Sequence, residues 1–338
     1  MAADLRASIR SLGRGPRESR GLDRDAARAL FASLVDGEAG ELETGAILLG
    51  LRAKGESVDE TLGFLDALGG RVVRLALPPE LPRPVVLPSY GGTRRSANLT
   101  PLLAMPLARY GTPVLVHRAD PADDDREGDA DDDGNPAGRD AVGGAGRVTS
   151  AQVFASLGIL PCRSAAEIES RLVHARVAYA PLELLAPGLA RLAGLRARLG
   201  LDSVAHSLVK LIAPWRGQGV RVVGASDPVA EARLREVVVA AGADAMLLVG
   251  TEGEPFASPL RCPRIETYRN GVLARVVEQD DEPVHPAPAL PASRDAATTA
   301  AWIESALAGE VPIPAPLLQQ IGCLIEASRE PAREGGPL

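Results

Sequence analysis

A glycine turn followed by two adjacent arginines is the part of this 338-residue sequence best suited to chemistry. The stretch covers residues 85–100, VVLPSYGGTRRSANLT, and has the pattern of a β-strand, a turn and the start of a helix. Gly91 and Gly92 permit the positive φ that turns backbone amides inward to form an anion-binding nest. Arg94 and Arg95 add guanidinium groups that match phosphate oxygens. The stretch therefore predicts a phosphate contact.

The helix expected after this turn adds a second source of positive potential. Asn98 or Thr100 is suited to cap its first turn, and Pro101 suits its first helical position. The amides at a helix N-terminus stabilise an anion by about 0.3–1 kcal/mol. The alternative is an ordinary strand-to-helix turn with surface arginines, because glycine-rich turns of this kind are common. The residues of this stretch leave both interpretations open.

A second concentration of positive charge lies further along the chain. Between residues 188 and 221, six basic residues accompany a single acid, Asp202. Arg191 and Arg198 are seven residues apart and share a helix face if the helix is unbroken. The alternatives are a nucleic-acid contact surface and a solvated helix face. The basic residues are Arg191, Arg196, Arg198, Lys210, Arg216 and Arg221.

An acidic segment dominates the formal net charge of -7. Residues 119–146 hold ten acids and two arginines, and the rest of the chain holds 35 basic and 34 acidic residues. The negative total therefore does not exclude a nucleic-acid partner, and the segment is expected to compete with one for nearby arginines. Its composition favours a solvated insertion over a calcium loop. The calcium-loop positions would be Asp129, Asp131, Asp133, Gly134 and Asp140.

Residues 1–78 predict a small helical domain. Asp23 is suited to cap a helix that Gly37 ends, and a second helix is expected near residues 41–54. Ser57 and Glu60 have capping-box spacing at the start of a third helix. Residues assigned to the core are Ala27, Leu30, Phe31, Leu34 and Val35 in the first helix and Ala46, Leu49 and Leu51 in the second.

Residues 79–338 predict an α/β domain with a mainly parallel central sheet. Short β-branched runs begin near residues 84, 112, 220 and 244, and helical segments separate them. Helices from about 165 to 200 are expected to join the helical domain, and two more are expected in the tail. Such an arrangement predicts a parallel sheet covered by helices.

The cysteines and the N-terminus indicate an intracellular protein. Cys162, Cys262 and Cys323 lie far apart and form no CxxC pair, so we expect buried thiols in a reducing compartment. No apolar run approaches the roughly 18 residues needed to span a bilayer, and no apolar signal segment begins the chain. These features predict a cytoplasmic protein without membrane contact.

The chain resembles a known family over nearly its whole length. The stretch GAILLGLRAKGESVDETLGFLDAL resembles the N-terminal domain of anthranilate phosphoribosyltransferase, which implies the nucleoside phosphorylase/phosphoribosyltransferase-like fold of that enzyme. The glycine turn falls where that family has its Gly-Thr-Gly-Gly-Asp motif for phosphoribosyl pyrophosphate. The motif is degenerate in this sequence, because the aspartate is replaced by a glycine. It consists of Pro88, Ser89, Tyr90, Gly91 and Gly92.

Other positions that matter in the family also differ. The Asp-Glu pair that holds magnesium aligns with Pro255 and Phe256, although Glu252 and Glu254 lie nearby. Arg196 matches the arginine that binds the acceptor. A divalent metal contributes several kcal/mol to stabilising such a reaction, and each 1.4 kcal/mol is about tenfold in rate. Loss of the metal carboxylates therefore predicts loss of turnover.

Four separated signatures resemble the YbiB-type branch of this superfamily. They are IRSLGRGPRESRGLDRDAARALF, PSYGGTRRSANLTPLL, RARLGLDSVAHSLVKLIAP and GTEGE. The resemblance implies a transferase-fold homodimer, joined through the helical domain, that binds nucleic acid and is not known for transferase activity. It also implies that the phosphate loop has been put to another use.

The sequence therefore favours a non-catalytic protein that binds DNA, including single strands, or RNA, and needs no cofactor. Aromatic residues make up only 3% of the chain and no RNP signature is present, so binding should follow the phosphate backbone with low sequence specificity. One alternative is an active phosphoribosyltransferase that holds magnesium with Glu252 or Glu254 and acts on an unknown acceptor. Another is an inactive phosphate sensor. The expected contacts are Arg94, Arg95, Asn98, Thr100, Arg191, Arg196, Arg198 and Lys210.

Overall fold

A computed structural model describes residues 4–13, 21–118, 146–215 and 219–331. The ten acids of the 119–146 segment lie outside the described residues, as does Arg216. The calcium-loop alternative and the expected competition with nucleic acid therefore stay predictions.

The helical part of the chain begins with four helices whose ends follow the sequence signals. Asp23 caps the second helix by accepting a hydrogen bond from the Ala26 amide, and Gly37 ends that helix in the left-handed conformation. Ser57 and Glu60 form the predicted capping box at the start of the fourth. These predictions are confirmed. The helices are α1 (Leu5–Leu12), α2 (Arg24–Asp36), α3 (Glu41–Lys54) and α4 (Val58–Leu68).

The predicted core face of α3 is wrong at two of its three positions. Leu51 is buried as expected, but Leu49 is 51% exposed and Ala46 is exposed as well. Ile47 and Leu48 are fully buried instead. Successive residues of a helix are rotated by about 100°, so an apolar run fits several phases. Packing against neighbouring helices selects the phase, and the run itself does not reveal it.

Ten further helices follow in the described part of the chain, and some of them complete the core of the bundle. They are α5 (Thr100–Arg109), α6 (Ser150–Ser156), α7 (Ala165–His174), α8 (Leu182–Leu185), α9 (Pro187–Gly194), α10 (Arg196–Leu199), α11 (Val204–Val209), α12 (Pro228–Ala240), α13 (Ala296–Ala308) and α14 (Ala315–Arg329). Helices α8, α9 and α11 share one core with α2, α3 and α4. Helix α7 packs against the sheet instead, through Ile168 and Leu172. The helices that join the bundle therefore begin nearer residue 182 than 165, and the domain limits at 78 and 79 stay a prediction.

The second part of the fold is a seven-stranded sheet in the order β3-β2-β1-β4-β5-β6-β7. The first five strands of that order pair in parallel. Strand β6 is antiparallel to both of its neighbours, β5 and β7. The predicted fold class, a helical bundle joined to an α/β domain with a mainly parallel sheet, is confirmed. The strands are β1 (Val85–Pro88), β2 (Val114–Arg118), β3 (Val177–Pro181), β4 (Val220–Ala225), β5 (Ala245–Val249), β6 (Ile265–Arg269) and β7 (Val272–Val277).

Three of these strands are missing from the sequence prediction. Strand β3 is short and lies among helices, which hid its pattern. Strands β6 and β7 form a hairpin whose turn residues are Asn270 and Gly271, with φ of 50° and 72°. An Asn-Gly pair between β-branched runs is a strong hairpin signal, because both turn residues need positive φ. That signal was available in the sequence.

The sheet brings two loops to one edge. Strand β1 pairs with β2 on one side and with β4 on the other, so the order of the chain reverses at β1. Parallel sheets form a ligand crevice beyond the carboxyl ends of the strands at such a reversal. The loop of residues 89–99 leaves β1 there, and the loop of residues 250–257 leaves β5, two strands away.

The cysteines agree with the expectation of buried thiols. All three cysteines are buried free thiols. Within the described ranges, no helix combines the length and apolar character needed to cross a bilayer.

Candidate functional site

The loop of residues 89–99 has the backbone form of an anion-binding turn. Gly92 has a φ of 60°, which favours glycine, and a Cβ atom there would lie 2.9 Å from the Val148 oxygen. Thr93 forms a β-bridge with Val148. These contacts curl the loop so that its amides point into its own interior.

The first group of these amides surrounds the carboxylate of Glu254. Its Oε1 atom accepts hydrogen bonds from the amides of Tyr90, Gly91 and Gly92 at 3.1, 2.9 and 2.9 Å. Its other oxygen accepts from the hydroxyl of Ser89. Only 1% of Glu254 is exposed. The centre of the predicted phosphate loop is therefore filled by a carboxylate of the same chain.

The second group of amides surrounds the carboxylate of Glu252. It accepts hydrogen bonds from the amides of Arg94 at 2.7 Å, Arg95 at 3.0 Å and Ser96 at 3.0 Å. Glu252 has a φ of 53°, which is uncommon for a residue with a side chain. Two carboxylates thus bind six loop amides, and we call this arrangement the carboxylate clasp.

The segment that carries both glutamates is tightly packed against β4. A Cβ atom added to Gly250 would lie 1.8 Å from the Glu254 carbonyl oxygen, and one added to Gly224 would lie 2.5 Å from it. The ammonium group of Lys210 donates hydrogen bonds to the carbonyl oxygens of Gly224 at 2.8 Å and Gly253 at 3.2 Å. Burial lowers the pKa of Lys210, and the nearby charge of Glu254 opposes that change. Lys210 therefore connects the segment of the two glutamates to β4. It does not lie on an open basic surface.

Two other predicted contacts lie inside the loop. Asn98 and Thr100 are fully buried. The Asn98 amide nitrogen donates to the Val148 oxygen at 3.2 Å, and its side-chain oxygen accepts from the Thr100 amide at 3.2 Å. In this arrangement both residues shape the loop and present no side-chain surface to a partner. The predicted helix start is wrong in detail, because Leu99 is the N-cap residue of α5 and makes no side-chain cap, and Pro101 is the second helical residue after Thr100.

Three arginines lie together at the mouth of the loop. Arg147, which the sequence analysis did not identify, donates a hydrogen bond to the Gly92 carbonyl oxygen at 3.2 Å. Its pKa is lowered by burial and then by the positive charges of Arg94 and Arg196, whereas the nearby acids Glu252 and Asp202 oppose that change. Arg95, next to Arg94, is exposed. We call Arg94, Arg95, Arg147 and Arg196 the arginine rim.

The remaining predicted arginines are held by separate partners. Arg191 donates to the Leu34 carbonyl oxygen at 2.5 Å, near the end of α2. Arg198 forms two hydrogen bonds with the Glu41 carboxylate at 3.0 and 3.1 Å. The helix is broken at Leu195, between α9 and α10, so the shared face expected for Arg191 and Arg198 does not exist.

The chain also pairs Arg196 with an acid beside the rim. Asp202 lies 3.2 Å from the Arg196 Nε atom and 3.5 Å from the His206 Nε2 atom. The other ring nitrogen of His206 accepts a hydrogen bond from the Ser203 amide at 3.1 Å, so His206 serves as a helix cap. Burial lowers the pKa of His206 despite the nearby Asp202. His206 is thus a buried histidine whose hydrogen bond caps α11.

A buried histidine behind the loop was missed by the sequence analysis. His117, at the end of β2, lies 3.0 Å from the Tyr90 hydroxyl through its Nδ1 atom. Burial lowers the pKa of His117 to about 3 and raises that of Tyr90 well above its usual value. Both groups are therefore neutral near pH 7. They fix the first residue of the amide nest, and the strand end on which His117 lies is a signal that could have found it.

Magnesium does not fit the glutamates as they are arranged. The oxygens of Glu252 and Glu254 already accept hydrogen bonds from six amides, and a hard cation would need those same oxygens. The described residues also contain no group of three or more histidine, cysteine, aspartate or glutamate side chains able to hold a metal. A metal-bound state would require the clasp to open.

Comparisons with known proteins place the chain in a superfamily. Residues 6–69 match the family described as "Glycosyl transferase family, helical bundle domain". The anthranilate phosphoribosyltransferase of Methanothermobacter marburgensis is 31% identical over 237 residues, which is 69% of this chain and 61% of that protein. The same enzyme from Saccharomyces cerevisiae, solved with phosphoribosyl pyrophosphate and magnesium, has the same fold, with a TM-score of 0.68, 13% identity and coverage of 96% of this chain and 88% of that one.

One match that extends over nearly the whole of both sequences is to YbiB of Escherichia coli. The two sequences are 36% identical over 333 residues, which is 97% of this chain and 96% of that protein. This chain therefore belongs to the YbiB family, within the superfamily that shares the fold of anthranilate phosphoribosyltransferase.

Proposed function

We propose that this protein is a non-catalytic member of the phosphoribosyltransferase fold that binds nucleic acid through the arginine rim, with low sequence specificity. The observation that carries the proposal is the carboxylate clasp. Six amides of the loop bind Glu252 and Glu254, so a substrate diphosphate has no free amide nest to enter. What the crevice offers to a phosphate is the set of guanidinium groups around its mouth.

The charge at this mouth suits a polymer of phosphates. Arg94 and Arg196 both lie within electrostatic range of Arg147, as do the acids Glu252 and Asp202, and Arg95 is exposed next to Arg94. Guanidinium groups contact phosphate oxygens whatever the base sequence. Aromatic residues, which stack on unpaired bases, make up only 3% of the chain. These features support binding along the backbone of DNA or RNA.

The alternative is an active magnesium-dependent phosphoribosyltransferase. Its support is the shared fold and the similarity to anthranilate phosphoribosyltransferases. It requires Glu252 or Glu254 to leave the loop amides and bind magnesium. Metal-dependent release of pyrophosphate from phosphoribosyl pyrophosphate distinguishes the two functions, because only the alternative produces it.

Binding to a labelled single-stranded oligonucleotide tests the proposal directly. We expect binding at low salt, measured by fluorescence anisotropy, that weakens linearly on a log-log plot against salt concentration. The slope should be about 0.7 for each phosphate that the protein neutralises, so Arg94, Arg95 and Arg147 predict about 2, and Arg196, which is paired with Asp202, adds less. An absence of binding at low salt would contradict the proposal, and the pyrophosphate-release assay would then become decisive.

We further propose that two copies pair through α3. Leu42 is 82% exposed and Leu49 is 51% exposed, and Ala46 and Ala53 are exposed between and beyond them. These four residues follow helical spacing and form one apolar stripe. A two-fold axis would pack the stripe of one protomer against the same stripe of its partner, so that both stripes are removed from water. A dimer would also double the arginine rim available to one strand.

Replacing Leu49 with aspartate should give a folded monomer. A buried unpaired carboxylate at the centre of a paired stripe is costly, whereas the same residue in a monomer is exposed to water. Sedimentation velocity or light scattering measures the mass. Leu318→Asp is the matched control, because Leu318 is also 51% exposed but lies on α14. Equal masses for the two variants would contradict pairing through α3.

A further inference from the structure

We propose that Glu252 and Glu254 are specificity-determining residues that act as internal anions and exclude small phosphates from the loop. Each carboxylate occupies the place that an oxyanion would take in a backbone nest. The inference does not rest on nucleic-acid binding, because it concerns only which anion fills the amides. The two bound carboxylates also explain why the loop keeps its anion-binding form although Pro255 and Phe256 stand where the resemblance places the metal-binding Asp-Glu pair.

The donor geometry supports an occupied site and not a chance contact. The six amide-to-oxygen distances lie between 2.7 and 3.1 Å, which is the range of good charge-assisted hydrogen bonds. The Ser89 hydroxyl adds a seventh donor, and the Thr100 hydroxyl lies 3.4 Å from Glu254. A buried carboxylate is unfavourable unless it is hydrogen-bonded in this way. The amides of the loop therefore bind carboxylates of the same chain and need no external anion.

A free phosphate would have to displace the carboxylates of Glu252 and Glu254, which are covalently part of the chain and held in place by packing. A tethered group acts at an effective concentration of about millimolar or more. Opening the clasp also means moving a segment in which Gly224 and Gly250 leave no space for displacement toward β4. It would also break the hydrogen bond from Lys210 to the Gly253 carbonyl oxygen. Small phosphates at ordinary concentrations therefore do not compete with the two carboxylates.

The exclusion acts on small ligands and leaves the rim accessible. Arg95 is exposed, and Arg94 and Arg147 are only partly buried. If the proposed function holds, the clasp lets the protein bind a polyanion through several guanidinium groups without capture of single phosphates by the loop amides. Selectivity between a polymer and its building blocks would then arise from the filled nest.

The test uses Glu252→Ala and inorganic pyrophosphate as the probe. Glu252 is only partly buried, so its removal should leave a folded protein with free amides at Arg94, Arg95 and Ser96. We expect pyrophosphate to raise the melting temperature of this variant by about 5 °C once its concentration exceeds the dissociation constant about a hundredfold. The wild type should show only the small nonspecific rise that multivalent anions cause.

Glu304→Ala is the matched control, because it makes the same change in net charge at an exposed position on α13. A response of Glu252→Ala no larger than that of Glu304→Ala would overturn the inference. A wild-type response as large as that of Glu252→Ala would overturn it too, since the clasp would then open freely.

Hydrogen exchange of the wild type gives a second measurement that needs no variant. Peptides covering residues 89–96 should exchange slowly, and pyrophosphate should not slow them further, because their amides are already bonded. Fast exchange that pyrophosphate slows would overturn the inference. These readouts are separate from the oligonucleotide titration, so a failure of nucleic-acid binding and a failure of the clasp can be distinguished.

Discussion

Replacing Glu60 with alanine is expected to lower the free energy of unfolding by about 3–5 kcal/mol, as breaking a buried ion pair usually does. Glu60 is fully buried and accepts hydrogen bonds from the amides of Leu22 and Ser57, both at 2.9 Å. It also accepts from Lys54 at 2.5 Å, and the Lys54 side chain is 9% exposed. One carboxylate thus joins the segment before α2, the end of α3 and the start of α4. Its loss would leave a buried ammonium group unpaired.

The Glu60→Ala substitution should also change how the free energy of unfolding depends on pH. Burial alone would raise the pKa of Glu60, but the hydrogen bonds from Leu22, Lys54 and Ser57 outweigh burial and lower it below 4.5. A carboxyl with a lowered pKa stabilises the folded state above its unfolded pKa, and that contribution is lost as the pH falls through the folded value. The difference in stability between wild type and Glu60→Ala should therefore be largest near pH 7 and shrink below about pH 4.

Urea unfolding at several pH values measures both effects. Asp59→Ala is the control, because Asp59 is exposed one residue earlier on the same helix. Exposed substitutions usually change stability by no more than about 0.5 kcal/mol. If Glu60→Ala and Asp59→Ala unfold at the same urea concentration, the buried carboxylate does not hold the bundle together as the structure indicates.

Replacing Arg94 and Arg95 together with alanine is expected to weaken oligonucleotide binding about a hundredfold at low salt. A hydrogen bond to a charged group contributes about 1.5 kcal/mol or more, so two such contacts amount to about 3 kcal/mol and about two powers of ten in affinity. The salt slope should fall by about 1.4, which is 0.7 for each lost contact on a single strand. The two readouts together separate lost phosphate contacts from general loss of folded protein.

The structure also predicts which arginine should matter less. Arg198 is already paired with Glu41 through two hydrogen bonds, and the pKa of Arg198 is raised by that pairing. A phosphate would have to replace this carboxylate, so Arg198→Ala should change the salt slope by less than about 0.7. Anisotropy titrations of both variants, with melting temperatures to confirm folding, make the comparison. Equal losses in Arg198→Ala and the double variant would contradict the arginine rim as the main contact.

Local signals in the sequence were sufficient for much of the fold. Asp23, Gly37 and Ser57 mark helix ends because each satisfies backbone groups within a few residues. The phase of α3 depended on contacts with other helices, so Ala46 and Leu49 were placed on the wrong face. The break between Arg191 and Arg198 had a local signal, because Gly194 is the last residue of α9 and glycine is a poor helix former.

The form of the loop could be predicted from the sequence, but the groups that its amides bind could not. The glycine turn indicated an anion nest, and the structure has one. The anion proved to be Glu252 and Glu254, two residues considered only as weak metal ligands. Arg147 reaches the loop through a bridge at Val148, far along the chain from Gly92. Contacts of this kind depend on where the sheet brings distant segments, and no local spacing encodes them.

The clasp joins parts of the chain that are made at different times. Glu252 and Glu254 bind groups that lie between 156 and 165 residues earlier. At synthesis rates of about 5–20 residues per second, a ribosome needs about 10–30 s to cover that distance. For that interval the nascent loop has no internal carboxylates, and any anion that enters it must leave before the native contacts form. The same amides that the finished protein keeps closed are thus open during its own translation.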